Sequence, residues 1–288
     1  MGEEMAYLNG RILPAAEANI GIDDVGFLHG GSAFTTLAAH NGRPFRLDRH
    51  LERLFATVEL LGFRVDATPE TLTAAACELL SANGLSRARL RITLTPGQVR
   101  TGRPTTLITA APLAEYPPEY FTRGVTVVIS SFRQWSGDPA YGYKTGCYFN
   151  RILARQEAHS KGAMEALWFT PDHRLAEGCF TNVFLVKAGR LLTPARDTPV
   201  LPGVTRQAVI ELASQLGIPC DADAEPVVDD LLAAEEVFLT ASTMGVLPVT
   251  HVERHDVGDG NVGTVTRRLL QAYVTLVEKE TSAAQRPR

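Results

Sequence analysis

With 288 residues, 45% of them apolar, and a net charge of −4 from signs mixed along the chain, the sequence describes a globule of one large or two modest domains. No basic face is available for a nucleic-acid backbone, no apolar run approaches the ~20 residues that span a bilayer, and Met1 to Gly10 lacks the basic start and apolar run of a secretory signal. Neither nucleic acid nor membrane is therefore expected as a partner, and the expected location is the cytoplasm. Cys77, Cys147, Cys179 and Cys220 stand singly, which argues against a zinc centre, a disulfide framework or any other metal site and reads them as small buried apolar residues.

In chain order, Ala6-Tyr7-Leu8 and Arg11-Ile12-Leu13 flank the turn pair Asn9-Gly10 and predict a hairpin. Apolar spacing predicts a helix from about Arg49 to Leu61 with Asp48 as N-cap, and Thr68-Pro69 opens a second that stops at Asn83-Gly84. Alternation over Arg89 to Thr95 predicts a half-buried strand. The proline-bearing stretch Ala111 to Pro118 reads as a linker. Beyond it, strands are expected at Val125–Ser130, Ala166–Thr170 and Asn182–Lys187, and helices at Asn150–Lys161, Val204–Leu216 and about Val262–Val277. The tail from Thr281 to Arg288 reads as disordered. The simplest organisation is two α+β domains, residues 1–118 and 119–288.

A lysine works as a nucleophile when desolvation or a neighbouring cation removes its proton near neutral pH. The chain has only four lysines, at 144, 161, 187 and 279, with arginine supplying the other positive charge. Lys161 ends a helix beside Gly162, Lys187 begins a turn with Gly189 and Lys279 lies in a polar stretch, so all three read as solvated. Lys144 sits between the aromatic-rich Trp135–Tyr143 stretch and Tyr148-Phe149. On composition alone it is open between a catalytic and a surface lysine.

Lys144-Thr145-Gly146-Cys147-Tyr148, followed by Leu153-Ala154-Arg155-Gln156-Glu157-Ala158, resembles the cofactor-lysine segment of the fold-type-IV pyridoxal-phosphate enzymes, the branched-chain and D-amino-acid aminotransferase family. Leu175-Ala176-Glu177-Gly178, Thr181-Asn182-Val183-Phe184 and Leu201-Pro202-Gly203-Val204-Thr205-Arg206 resemble its later motifs. Asp24-Val25-Gly26-Phe27 and His50-Leu51-Glu52-Arg53-Leu54 resemble its N-terminal domain. Each motif is weak alone, but the ordered set from about Asn9 to Tyr273 is specific.

The resemblance implies a small α/β N-terminal domain and a larger C-terminal pseudo-barrel domain holding pyridoxal 5′-phosphate as a Schiff base on Lys144. Glu177, otherwise a solvated turn glutamate, would keep the pyridine nitrogen protonated. Arg53, the N–H groups of Val204 and Thr205, the Thr205 hydroxyl and Ser242 would hold the phosphate. Leu201, by default a core leucine, would pack on the ring, and Tyr148 would face its phenolic oxygen. Phe34, Thr243 and Arg100 are the substrate-side candidates, with a surface-loop reading open for Arg100. The implied reaction is transamination between an amino acid, D or branched-chain, and a 2-keto acid, with Lys144 carrying the proton from Cα. The family also implies a homodimer. Phe34-Thr35-Thr36 lacks an acidic residue after the aromatic and resembles the aminodeoxychorismate lyases, which release pyruvate, while Gly26-Phe27-Leu28-His29 resembles the R-selective amine transaminases.

Overall fold

The computed structural model describes residues 3–282. They form two compact units, the first running to Ala114 and including Tyr143–Cys147 and the chain from Leu276 on, the second comprising Glu115–Gly142 and Tyr148–Thr275.

In the first unit, β1 (Met5–Leu8) and β2 (Arg11–Pro14) form the expected hairpin, with Tyr7 opposite Ile12. Asn9 and Gly10 both take positive φ, 48° and 88°, which gives a two-residue turn the twist of its strands. Strands β3 (Ala33–His40), β4 (Arg43–Pro44), β5 (Ala88–Thr95) and β6 (Thr105–Pro112) complete a sheet of order β2-β1-β6-β5-β3-β4. Helix α1 (Val25–His29) precedes β3, and α2 (Leu47–Leu61) and α3 (Pro69–Ala82) bury Leu51, Leu54, Leu72 and Leu79 in one core with Leu37, Leu90 and Ile92 of the sheet. Thr68 caps α3 in a reciprocal capping box with Pro69 at the helix start.

In this unit the structure corrects two expectations. Asp48 is not the N-cap of α2: Arg46, with φ 50°, holds that position, and the left-handed turn starts the helix one residue before Asp48, whose charge then complements the helix dipole in the first turn. The linker begins later, because Ala111 and Pro112 pair with Arg89 and Ala88 at the end of β6. Tyr143–Cys147, with Lys144, joins the first unit although it follows Glu115–Gly142 of the second in the chain. The cause is main-chain pairing: Phe34 N–H donates to Lys144 O at 2.9 Å, and Gly146 N–H to Ser32 O at 2.8 Å.

The second unit is built on β7 (Val125–Arg133), β8 (Glu165–Phe169), β9 (Leu175–Gly178), β10 (Asn182–Lys187), β11 (Arg190–Pro194), β12 (Cys220–Ala224), β13 (Glu236–Ala241), β14 (Gly245–Val252) and β15 (His255–Asp256). They form one sheet of order β12-β11-β10-β13-β14-β7-β8-β9, with β15 on β14. β7 is parallel to both neighbours, and every residue of β8 is buried, in keeping with the apolar run Ala166–Phe169 that follows the buried Glu165. Val127, Leu167, Leu185, Leu239 and Leu247 make the core. Helices α4 (Pro118–Thr122), α5 (Phe149–Ser160), α6 (Val204–Gln215) and α7 (Val228–Leu232) belong to this unit, and α8 (Thr264–Thr281) ends in the first. Thr281, expected in a disordered tail, is buried and donates its hydroxyl to Val277 O at 2.7 Å; residues 283–288 of that tail lie outside the described residues.

The four cysteines are free, but only Cys179 is buried; Cys77 and Cys147 are exposed, and Cys220 is half-buried. No described helix is long and apolar enough to cross a membrane.

Candidate active site

In the first unit, Lys144 lies on the short segment paired against the start of β3. Its N–H reaches Thr57 Oγ1 at 3.4 Å, and the Thr57 hydroxyl donates to Arg53 O at 3.0 Å, one turn back on α2. Lys144 Nζ stands 4.8 Å from the centre of the Phe34 ring, whose face also receives the Arg91 guanidinium at 3.8 Å. An aromatic face attracts cations without neutralising them, so two positive groups share one ring.

Arg53 lies in the same cluster. Its Nη2 donates to Thr35 Oγ1 at 3.3 Å and lies 3.4 Å from His50 Nδ1, and Thr35 Oγ1 is 2.9 Å from that nitrogen. Arginine can only donate, so Nδ1 is the acceptor at the Arg53 contact, which makes the Thr35 hydroxyl the donor to Nδ1. A neutral His50 satisfies this chain, and its proton affinity agrees: burial first, then the charges of Arg53 and Lys144, hold it well below its ordinary value. The structure thus brings Lys144, Arg53 and Phe34 together. Arg100 stands apart from them, its side chain 82% exposed and 3.6 Å from Asp23.

In the second unit, Glu177 lies near the end of β9 with its side chain 3% exposed. Four donors converge on it: Arg151 Nη2 on Oε1 at 2.7 Å, Leu201 N–H on Oε2 at 2.9 Å, Asn182 Nδ2 at 3.3 Å and Gln134 Nε2 at 3.4 Å. Asn182 Nδ2 also donates to Leu201 O at 2.9 Å, tying the loop before α6 to the same point. Gly203 follows, where a Cβ would collide with the Asn182 side chain, so this approach demands glycine. Gly203 is also the N-cap of α6 and offers no side-chain cap, leaving the first-turn N–H groups of Val204 and Thr205 at the helix end. The Thr205 hydroxyl lies 3.4 Å from Tyr273 Oη.

β13 runs beside β10 with Thr240 opposite Asn182, so Ser242 and Thr243 follow in the turn beyond that pair. Among the described residues the buried Thr240 hydroxyl has no hydrogen-bond partner, which leaves polar capacity at this strand end. Tyr148 is the residue before α5 and packs on Phe180 with ring centres 5.5 Å apart.

Sequence reasoning does not single out Arg151, Gln134, Thr57, Thr35 or His50 as site residues. For Arg151 a signal exists: it occupies the first turn of α5, where the helix dipole disfavours a cation, so a compensating acid is required nearby. The other three lysines are accounted for. Lys161 pairs with Glu157 at 2.7 Å, Lys187 with Asp230 at 2.6 Å, and Lys279 is exposed on α8.

The family model for amino-transferase class IV matches residues 32–252. A putative branched-chain-amino-acid aminotransferase of Methanocaldococcus jannaschii is 30% identical over 278 residues, covering 93% of this chain and 94% of that one. The D-alanine aminotransferase of Listeria innocua is 27% identical over 277 residues, again 93% and 94% of the two chains. Among solved structures, the branched-chain amino acid aminotransferase of Escherichia coli superposes with a TM-score of 0.91 at 27% identity, covering 98% of this chain and 97% of that one.

Proposed function

The chain belongs to the amino-transferase class IV family, enzymes of mixed α+β fold, and from that premise we propose that it moves an amino group between an amino acid and a 2-keto acid with pyridoxal 5′-phosphate held on Lys144. What carries the reading is the connected segment Leu201–Thr205. Its first residue donates to the Glu177 carboxylate, and its last two head a helix whose N–H groups have no side-chain cap. One short stretch thus joins an acceptor suited to a protonated ring nitrogen with donors suited to a phosphate dianion.

When bound, the cofactor withdraws electrons from the substrate's α-carbon provided its ring nitrogen stays protonated. Lys144 Nζ would tether it and would carry the proton released at that carbon. Glu177 would keep the ring nitrogen protonated. Arg53, Val204 N–H, Thr205 and Ser242 would bind the phosphate, Leu201 would pack on the ring, and Tyr148 would orient the phenolic oxygen. Phe34 and Thr243 would contact the substrate, while Arg100, exposed beside Asp23, keeps its surface-loop reading.

The substrate class is a branched-chain or D-amino acid, as the names of the two relatives suggest for this chain. A second reading keeps the same Lys144 and Glu177 but releases pyruvate, as a lyase would. The Phe34-Thr35-Thr36 run favours it, because it lacks an acidic residue after the aromatic, as in the aminodeoxychorismate lyases it resembles. The reading includes a cytoplasmic homodimer acting on small molecules, whose oligomeric state sedimentation at working concentration checks.

The test incubates the loaded enzyme separately with L- and D-amino acids, an aromatic R-amine and aminodeoxychorismate, following cofactor amination alongside pyruvate release. Amination by one amino-acid class is expected, and Lys144→Ala reduces it to background. Pyruvate release without amination would replace the transaminase by the lyase, and turnover retained in Lys144→Ala would overturn the lysine assignment.

A further inference from the structure

We propose that Arg151 is a positioning residue for the cofactor-facing carboxylate, fixing Glu177 as an oriented anion; this rests on the role given to Glu177 above. Their contact at 2.7 Å is the shortest around the carboxylate, and both side chains are nearly enclosed, 12% and 3% exposed. All four partners of Glu177 donate, so a neutral carboxyl would set its own O–H against an N–H, and only the anion satisfies the arrangement.

The guanidinium is itself held on several sides. Nη1 donates to the carbonyls of Gly178 and Cys179 at 3.0 Å each, the two residues that follow Glu177, and Nη2 also reaches Gln134 Oε1 at 3.3 Å. Arg151 thereby clamps the carboxylate to the main chain that carries it. A planar fork makes these contacts at once, as an ammonium cannot. Trp168, Tyr148 and Tyr141 place their rings 5.4, 5.6 and 6.0 Å from the guanidinium carbon and keep water from the pair. Burial opposes the charge on Arg151, but Glu177 and the Tyr148 phenol together carry its proton affinity above the ordinary range.

The remaining titratable groups around the pair are few. Tyr141 is pushed up by burial, Cys179 is pushed up to about 12 by burial and then by Glu165, and Arg206 is a second buried cation whose charge acts on Glu177. Tyr141 and Cys179 stay neutral near pH 7, and Arg206 spends its donors on Thr193, Pro194 and Ala222. Arg151 is therefore the direct counter-charge.

Infrared difference spectra of the apoprotein at neutral pH test this, each protein referenced to its own Glu177→Gln counterpart. The wild type is expected to give one narrow pair of carboxylate stretching bands, set by the Arg151 contact on Oε1. In Arg151→Met that pair should shift and broaden, as the carboxylate loses its shortest contact. Arg151→Lys, keeping the charge without the fork, should move it less. Bands unmoved in Arg151→Met overturn the proposal. Should that variant not fold, a folded Arg151→Met/Glu177→Gln protein carries the same conclusion, and equal failure of both refutes it. In the loaded enzyme, Arg151→Lys should lower kcat more than cofactor retention, and an equal loss of both would contradict positioning. A wild type that takes up no pyridoxal phosphate would sink the cofactor reading while leaving the apoprotein spectra to judge Arg151.

Discussion

Around Lys144 the neighbours include cations and neutral groups: Arg91 and Lys144 face one phenylalanine ring, and Arg53 donates to a threonine beside a histidine that burial keeps uncharged. Around Glu177 a buried anion meets a guanidinium and three further donors. Threonine hydroxyls and an aromatic face can yield at modest cost, so the first cluster suits a nucleophile that must release and regain a proton. A paired buried charge yields at high cost, since losing one partner strands the other. The second cluster suits a group whose charge must not change during turnover.

That contrast can be sharpened by removing charge from the fixed side. Glu177→Gln preserves shape but loses the anion, and kcat should fall by ~10²-fold or more, the scale of one charged or polar group aimed at the reacting centre. Cofactor retention should fall far less. Equal losses in the two measurements would make Glu177 an anchor and erase the distinction.

Arg53→Ala tests the other side. A charge-assisted hydrogen bond is worth about 1.5–3 kcal/mol, so cofactor affinity should weaken roughly 10–150-fold while kcat at saturation changes less. Equilibrium dialysis measures it, and unchanged retention would remove Arg53 from the phosphate site.

The smallest effect is on stability against pH. His50 has a lower proton affinity in the folded chain than its ordinary 6.5, so below that pH the unfolded chain binds the additional proton. Its contribution is complete above about 6.5 and is lost as pH falls through the folded value. Urea unfolding should show this acid limb, and His50→Gln should flatten it; an unchanged limb would assign the loss to other groups.

Elements with their own local chemistry are legible in the sequence. Asn9-Gly10 requires positive φ, Thr68-Pro69 is a complete helix start, and Asn182–Lys187 is a strand with the expected bounds. Elements defined by distant partners are not. β3 and most of β6 go unread because their pairing with β5 specifies them, and Arg46 replaces Asp48 as cap through a left-handed turn that no propensity announces. The site follows the same division. Lys144, Glu177 and Arg53 stand within motifs that resemble a family, whereas Arg151 is one arginine among many whose meaning comes from a carboxylate 26 residues away. Thr35, His50 and Thr57 are ordinary core polar residues until β3, α2 and the Lys144 segment meet.

The most direct measurement is covalent mapping. The protein is loaded with pyridoxal phosphate, reduced with borohydride, digested and analysed by mass spectrometry. The reduced cofactor mass is expected on the peptide containing Lys144 and on no other. The same mass confined to Lys161, Lys187 or Lys279, or no adduct at all, would contradict it.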